Sequence, residues 1–189
     1  GLPSNFISNV VIDNDENLWL TTNRGITRFA PNALTFSNFD RDDGLLNDYF
    51  TAGASFINKQ GKLLFGGSKG VDSFHPETVV GNPFPPKIQV TEFQLMNKPV
   101  TPLHSDVLTQ AIGATDAIAL NYRQSMFAFE FSALDFTIAK KNQYAYRLVG
   151  FDKAWQFVGP RRYASYTNIP PGKYRFEVKG TNNDGLWTT

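Results

Sequence analysis

Two stretches of this chain nearly repeat one another, and the repetition limits the fold before any single residue is weighed. The first runs from Gly1-Leu2-Pro3 through Leu18-Trp19-Leu20-Thr21-Thr22-Asn23-Arg24-Gly25-Ile26-Thr27-Arg28-Phe29-Ala30-Pro31. Its copy runs from Gly44-Leu45-Leu46 through Leu63-Leu64-Phe65-Gly66-Gly67-Ser68-Lys69-Gly70-Val71-Asp72-Ser73-Phe74-His75-Pro76, with an offset that drifts by two residues at the first hairpin. A period of about 40–45 residues made of short strands and turns is the mark of a β-propeller blade, a unit that cannot bury its apolar face alone. Two blades cannot close a ring, so residues 1–43 and 44–82 are expected to be adjacent blades of a larger propeller.

The local pattern agrees. Val10–Ile12, Leu18–Thr21 and Ile26–Phe29 are short apolar or β-branched runs, separated by the turn sequences Asp13-Asn14-Asp15-Glu16 and Asn23-Arg24-Gly25. A segment around Phe36–Phe39 closes a four-stranded meander. Turns of a meander alternate between its ends, so Asn23-Arg24-Gly25 and Ser68-Lys69-Gly70 share one rim with the linkers Gly1–Asn5 and Gly44–Asp48. That rim carries Arg24 and Lys69, the candidate ligand-binding residues.

Gly81-Asn82-Pro83-Phe84-Pro85-Pro86 is too rich in proline for a central strand, because each proline removes a backbone donor. A second domain, 83–189, is expected after it. There Ile88, Val90 and Phe93 open the pattern, Phe127, Phe129 and Phe131 alternate onto one face, and Tyr144, Tyr146 and Leu148 form a second row. Tyr174, Phe176 and Val178 form a third, with Arg175, Glu177 and Lys179 facing outward. Strands with one apolar face each, and almost no helix, predict a two-sheet, immunoglobulin- or fibronectin-III-like β-sandwich. The fold class expected for the whole chain is all-β.

Composition excludes several functions. With 18 basic and 17 acidic residues the net charge is +1, which holds no polyanion over the whole surface, so Lys140-Lys141 and Arg161-Arg162 are read as solvated loop charges and no nucleic-acid partner is expected. The chain has no cysteine, which removes disulfide frameworks and thiolate metal sites. No run approaches the ~20 apolar residues of a membrane helix, and no signal peptide is present. With a glycine at a repeat boundary in position 1, the chain reads as a piece of something longer.

The residues of the second domain carry a resemblance. Phe129-Glu130-Phe131-Ser132-Ala133-Leu134, Gln143-Tyr144-Ala145-Tyr146-Arg147-Leu148-Val149-Gly150-Phe151-Asp152, Trp155, the run from Tyr163 through Tyr166-Thr167-Asn168-Ile169-Pro170-Pro171-Gly172-Lys173-Tyr174, and Asn183-Asp184-Gly185-Leu186-Trp187 resemble the Y_Y_Y domain. The two opening repeats are similar to the two-component-regulator propeller family, whose blades read Gly-Leu, Leu-Trp-Leu, Gly-Ile and Arg-Phe. The second blade departs from that pattern with Leu64-Phe65 in place of Trp19-Leu20. The resemblance implies the C-terminal part of the periplasmic sensor region of a hybrid two-component histidine kinase in the inner membrane of a Gram-negative bacterium, relaying an oligosaccharide signal. Two alternatives stay open: the ectodomain of a membrane diguanylate cyclase, or a non-catalytic carbohydrate-binding accessory module of a secreted protein. By the same pattern Thr189 falls one strand short of the domain's end. An open sandwich edge and open-ended blades predict self-association, as a dimer, by edge pairing or strand exchange.

Trp19 lies mid-strand and reads as core, whereas Trp155 and Trp187 lie beside loops and could stack on sugar rings. Tyr144 and Tyr146 read as core, and Tyr166 as a corner residue anchoring the turn that follows it. Asp13-Asn14-Asp15-Glu16 lacks the glycine and distal glutamate of a calcium loop and reads as a turn, so no metal or other cofactor is expected. His75 and His104 fall in different expected domains, and His75 before Pro76 reads as a turn residue. Glu130 and Asp135 are near in sequence but on a strand and a turn, and no serine sits in a nucleophile elbow, so no catalysis is expected of this segment.

Overall fold

The computed structural model describes residues 1–103 and 106–188. His104 and Thr189, both weighed from the sequence, lie outside the described residues. The chain is all-β and divides into two compact units, Gly1–Gly81 and the chain from Asn82 onward. No helix among the described residues is long and apolar enough to cross a membrane.

The first unit opens with β1 (Ile7–Ile12), β2 (Leu18–Thr22), β3 (Gly25–Ala30) and β4 (Thr35–Phe39), an antiparallel meander in the order β1-β2-β3-β4. The second repeat gives three strands, β5 (Phe50–Ile57), β6 (Leu63–Gly67) and β7 (Gly70–Phe74), paired β5-β6-β7. The 3-10 turn at Pro76–Thr78 stands where the first repeat turns from β3 toward β4, and no fourth strand follows it over residues 79–87. The fixed φ of Pro76 suits the first position of that turn, and Pro83, Pro85 and Pro86 beyond it lack the backbone donors that a further strand would use.

The two meanders share one core. Trp19, Ile26, Phe50, Leu63 and Phe65 are buried together, with Val11, Phe39 and Phe74 packed against them. The Trp19 ring lies 5.9 Å from Phe39 and 5.0 Å from Phe74, so the tryptophan of the first repeat is in contact with the second. Asn9, also buried, bridges the meanders: its Nδ2 donates to the Thr51 carbonyl at 3.0 Å and its Oδ1 accepts from Gly53 N at 2.7 Å. A buried amide satisfied from both sides fixes how one repeat sits on the other.

In the second unit, β8 (Ile88–Leu95), β9 (Lys98–Pro99), β10 (Met126–Ala133) and β13 (Tyr163–Thr167) form a sheet in the order β13-β10-β8-β9. The other sheet, β12-β11-β14, comprises β11 (Tyr144–Val149), β12 (Gln156–Gly159) and β14 (Arg175–Gly180). The inner faces share a core of Phe131, Tyr144, Tyr146, Leu148, Ala164 and Tyr166, with Phe127, Phe129, Phe176 and Val178 packed on it. Phe129 stacks on Phe176 across the sheets, with centroids 4.1 Å apart.

A bulge explains how Ile88, Val90 and Phe93 can share a face although their spacing breaks strict alternation. Glu130 pairs with Glu92 while Phe131 pairs with Val90, so Thr91 is the extra residue that flips the parity of β8. One expectation needs correction. The Tyr166 hydroxyl does not bond backbone near its own turn; it donates to Asp152 Oδ2. The residue that reaches back to a carbonyl four positions upstream is Tyr174, whose hydroxyl donates to Pro170 O at 2.8 Å. Tyr166 points into the core from β13, so its hydroxyl meets the turn after β11 instead.

Candidate functional site

The rim of the first unit is assembled by side chains that hold backbone in place. Thr22 closes the β2–β3 turn: its Oγ1 accepts from Arg24 N at 3.0 Å and donates to Gly25 O at 3.2 Å. Gly25 takes φ +99°, and a Cβ there would run into the Phe39 carbonyl, so the glycine is required twice over. Asn47, in the linker between the repeats, does the corresponding work for the β6–β7 turn: its Oδ1 accepts from Lys69 N at 2.8 Å, and its Nδ2 donates to Gly70 O and to Asp72 Oδ2. Asp72 is buried, and its other oxygen accepts from Leu46 N at 2.7 Å.

These bonds bring both hairpins onto one dipeptide. Gly25 N donates to Asp48 O at 3.0 Å while Lys69 N bonds Asn47, so the turns carrying Arg24 and Lys69 flank the Asn47-Asp48 linker. Both cationic side chains are exposed. Arg41 stands 3.9 Å from Asp48 across a half-exposed gap, a geometry worth little energy. The rim also carries Asp40, Asp42 and Asp43, so its charge is mixed. Chemically it offers hydrogen-bond donors and acceptors on rigid turns. Beneath the linker, a cavity of about 210 Å³ is lined by Trp19, Ile26, Phe39 and Phe74. It is smaller than the ~300–1,000 Å³ usual for ligand pockets.

Other residues weighed from the sequence have structural employment. Asp13 accepts from Asp15 N, Asn17 N and the Trp19 indole, the last at 2.7 Å. Burial opposes ionisation of Asp13, but the Trp19 and Asn17 hydrogen bonds outweigh it and hold the carboxyl below its usual range. Glu130 accepts from Gln94 Nε2 at 3.2 Å, and Asp135 is occupied by Asn82 Nδ2 and Thr137 N. The His75 carbonyl accepts from Thr78 N and Oγ1 in the 3-10 turn.

Two features of the second unit were not anticipated from the sequence. A cavity of about 790 Å³ is lined chiefly by apolar residues, among them Phe93, Phe127, Phe129, Ile118, Leu120 and Phe176. On the outer face of β12-β11-β14, Trp155, Phe157 and Trp187 gather around Lys179. Their separate positions were legible, since Lys179 lies in the outward row of β14. Their meeting depends on the β11–β12 and β11–β14 registers, which no local pattern reveals.

Residues 135–189 match the family model of the Y_Y_Y domain. The chain's two all-β units are similar to extracellular domains of two-component systems. Over 189 residues it is 35% identical to Histidine kinase P4 of Formosa agariphila, covering 99% of this chain and 14% of that protein. The chain thus spans about one seventh of the curated relative it matches. Among solved structures it is similar to the extracellular domain of BT3049 of B. thetaiotaomicron, assigned to a hybrid two-component system. The TM-score is 0.81 and the identity 27%, over 100% of this chain and 25% of that one. The extracellular domain of BT4673 from the same organism gives a TM-score of 0.52 at 25% identity, over 96% of this chain and 23% of that one. Both solved relatives are extracellular domains.

Proposed function

We propose that this chain is the C-terminal part of the periplasmic sensing region of a membrane-anchored hybrid histidine kinase, and that it relays the binding of an oligosaccharide. The observation that carries the reading is the match over the full chain to the extracellular domain of a hybrid two-component system. In this reading residues 1–43 and 44–82 are neighbouring propeller blades and 83–189 is an immunoglobulin-like sandwich.

The outer faces of the first unit support the blade reading. Val10, Ile12 and Phe36 remain exposed on the first meander, and Phe56 and Val71 on the second. Apolar strand faces on both sides of a packed pair are what a repeat array covers with further repeats. The oligosaccharide contacts Arg24 and Lys69, because they stand on clamped turns where donors and acceptors of both kinds face solvent. Hydroxyl-rich ligands suit a rim of mixed charge.

The test is calorimetric titration of the complete ectodomain with a panel of oligosaccharides. Arg24→Ala and Lys69→Ala together are expected to weaken binding of the recognised sugar about tenfold or more, the loss of roughly 1.4 kcal/mol. Unchanged affinity would remove these residues from the site, and a complete ectodomain that binds no member of the panel would remove the sugar reading itself.

A further inference from the structure

The outer face of the β12-β11-β14 sheet concentrates exposed aromatic surface and positive charge in one place. Alternation sends Tyr144, Tyr146 and Leu148 of β11 inward, and leaves Ala145 and Arg147 on the outer face beside Arg175, Glu177 and Lys179 of β14. In register, Ala145 has Lys179 on one side and Phe157 on the other. Although it lies on the outer face, Ala145 is 0% exposed, so the longer side chains around it close over it. The small residue makes the seat on which those side chains rest.

The Lys179 ammonium lies 4.5 Å from the Trp155 ring centre, 5.3 Å from Phe157 and 5.2 Å from Trp187. The Arg147 guanidinium lies 4.6 Å from the Trp155 ring, and Phe157 meets Trp187 edge to face at 5.6 Å. Such contacts hold the rings and the cations in fixed relative positions. A cluster serving stability alone would bury its rings, yet Phe157 is 67% exposed.

The charge balance points the same way. Arg147 and Arg175 share the single carboxylate of Glu177, each at 2.7 Å. Lys179 adds a third cation, so these four side chains carry +2, whereas the whole chain carries +1. A local excess of positive charge therefore stands on this face, beside three aromatic rings.

We propose that this face binds an anionic polysaccharide. Pyranose rings, whose C–H faces are apolar, stack on Trp155, Phe157 and Trp187, and carboxylate or sulfate groups pair with Lys179 and Arg147. The site is separate from Arg24 and Lys69, and it stands whether or not the rim takes a ligand.

The test is affinity electrophoresis of the complete ectodomain in native gels containing polygalacturonate, dextran sulfate or neutral dextran. The expected result is retardation by one or both anionic polymers and none by dextran, falling as salt screens the exposed cations. The two anionic gels distinguish a carboxylated from a sulfated ligand. Trp155→Ala, Trp187→Ala and Lys179→Gln are each expected to weaken retention about tenfold or more. Near-ultraviolet circular dichroism and the melting temperature verify that each variant is folded, and Trp155→Phe, which keeps a ring, restores most of the retention. Three results would overturn the proposal: no retardation, equal retardation by dextran, or folded variants that bind as the wild type does. Dimerisation of the ectodomain abolished by Trp155→Ala would also overturn it, by assigning the face to a second copy. If anionic polymers are retained but the receptor answers to no oligosaccharide, this site stands and the signalling proposal falls.

Discussion

The Tyr166 hydroxyl donates a 2.7 Å hydrogen bond to Asp152 Oδ2, joining β13 of one sheet to the turn that leaves β11 of the other. The same carboxylate accepts from Leu148 N at 2.6 Å and from Gln156 Nε2 at 2.7 Å, so it closes its own turn while it anchors the opposite sheet. Tyr166→Phe keeps the ring and deletes only the hydroxyl. Because the lost bond goes to a charged acceptor, the expected cost is about 1.5–3 kcal/mol, read as a lower urea midpoint with an unchanged slope.

The same pair predicts an alkaline limb to stability. Burial, and then the hydrogen bond to Asp152, raise the Tyr166 pKa well above its ordinary value of 10.0. A group whose folded pKa is raised stabilises fully below the unfolded value and loses that contribution as pH climbs past it. Stability is therefore expected to fall above pH 10 more steeply in the wild type than in Tyr166→Phe. Absorbance at the phenolate band should show a tyrosine that resists titration in the folded wild type and is absent from folded Tyr166→Phe.

Asp13 makes the opposite prediction at low pH. Its folded pKa lies below the ordinary 3.8, so its contribution is complete well above that value and is lost as pH falls through the folded pKa. Asp13→Asn, which still accepts the Trp19 indole proton, should flatten the decline of melting temperature below about pH 4 relative to the wild type. Equal acid limbs in the two proteins would contradict the assignment.

Gly25→Ala tests the clamp on the rim. A side chain at φ +99° is strained, and its Cβ meets the Phe39 carbonyl, so the β2–β3 turn must move. A cost of at least about 1–3 kcal/mol is expected. Gly44→Ala, also at positive φ but with nothing within 4 Å of the added atom, should cost less. The difference between the two, measured by denaturant unfolding, isolates the close approach from the backbone strain.

The strands of the first repeat and the apolar rows of the second unit were legible because alternation and turn residues are local signals. Tyr144, Tyr146, Leu148 and the outward row of Arg175, Glu177 and Lys179 stand where period-two reasoning puts them. Beyond local pattern the sequence was silent. The extra residue Thr91, the Asn47 clamp on two hairpins, and the partner of the Tyr166 hydroxyl each depend on which strand lies beside which. Arg24 and Lys69 could be placed on turns by sequence, and the structure adds that both turns grip one linker. The gathering of Trp155, Phe157 and Trp187 on Lys179 required three separate segments to converge, and no spacing within any one of them announces it.

In the proposed role this chain belongs to a region that reports ligand outside the membrane to an output inside it. The most direct measurement of that role is the rate of autophosphorylation of the complete receptor in proteoliposomes, with the recognised oligosaccharide supplied on the ectodomain side. The account predicts a saturable change in rate that shifts to higher sugar concentration in Arg24→Ala with Lys69→Ala. A rate indifferent to that sugar, at concentrations where calorimetry shows the ectodomain occupied, would contradict it.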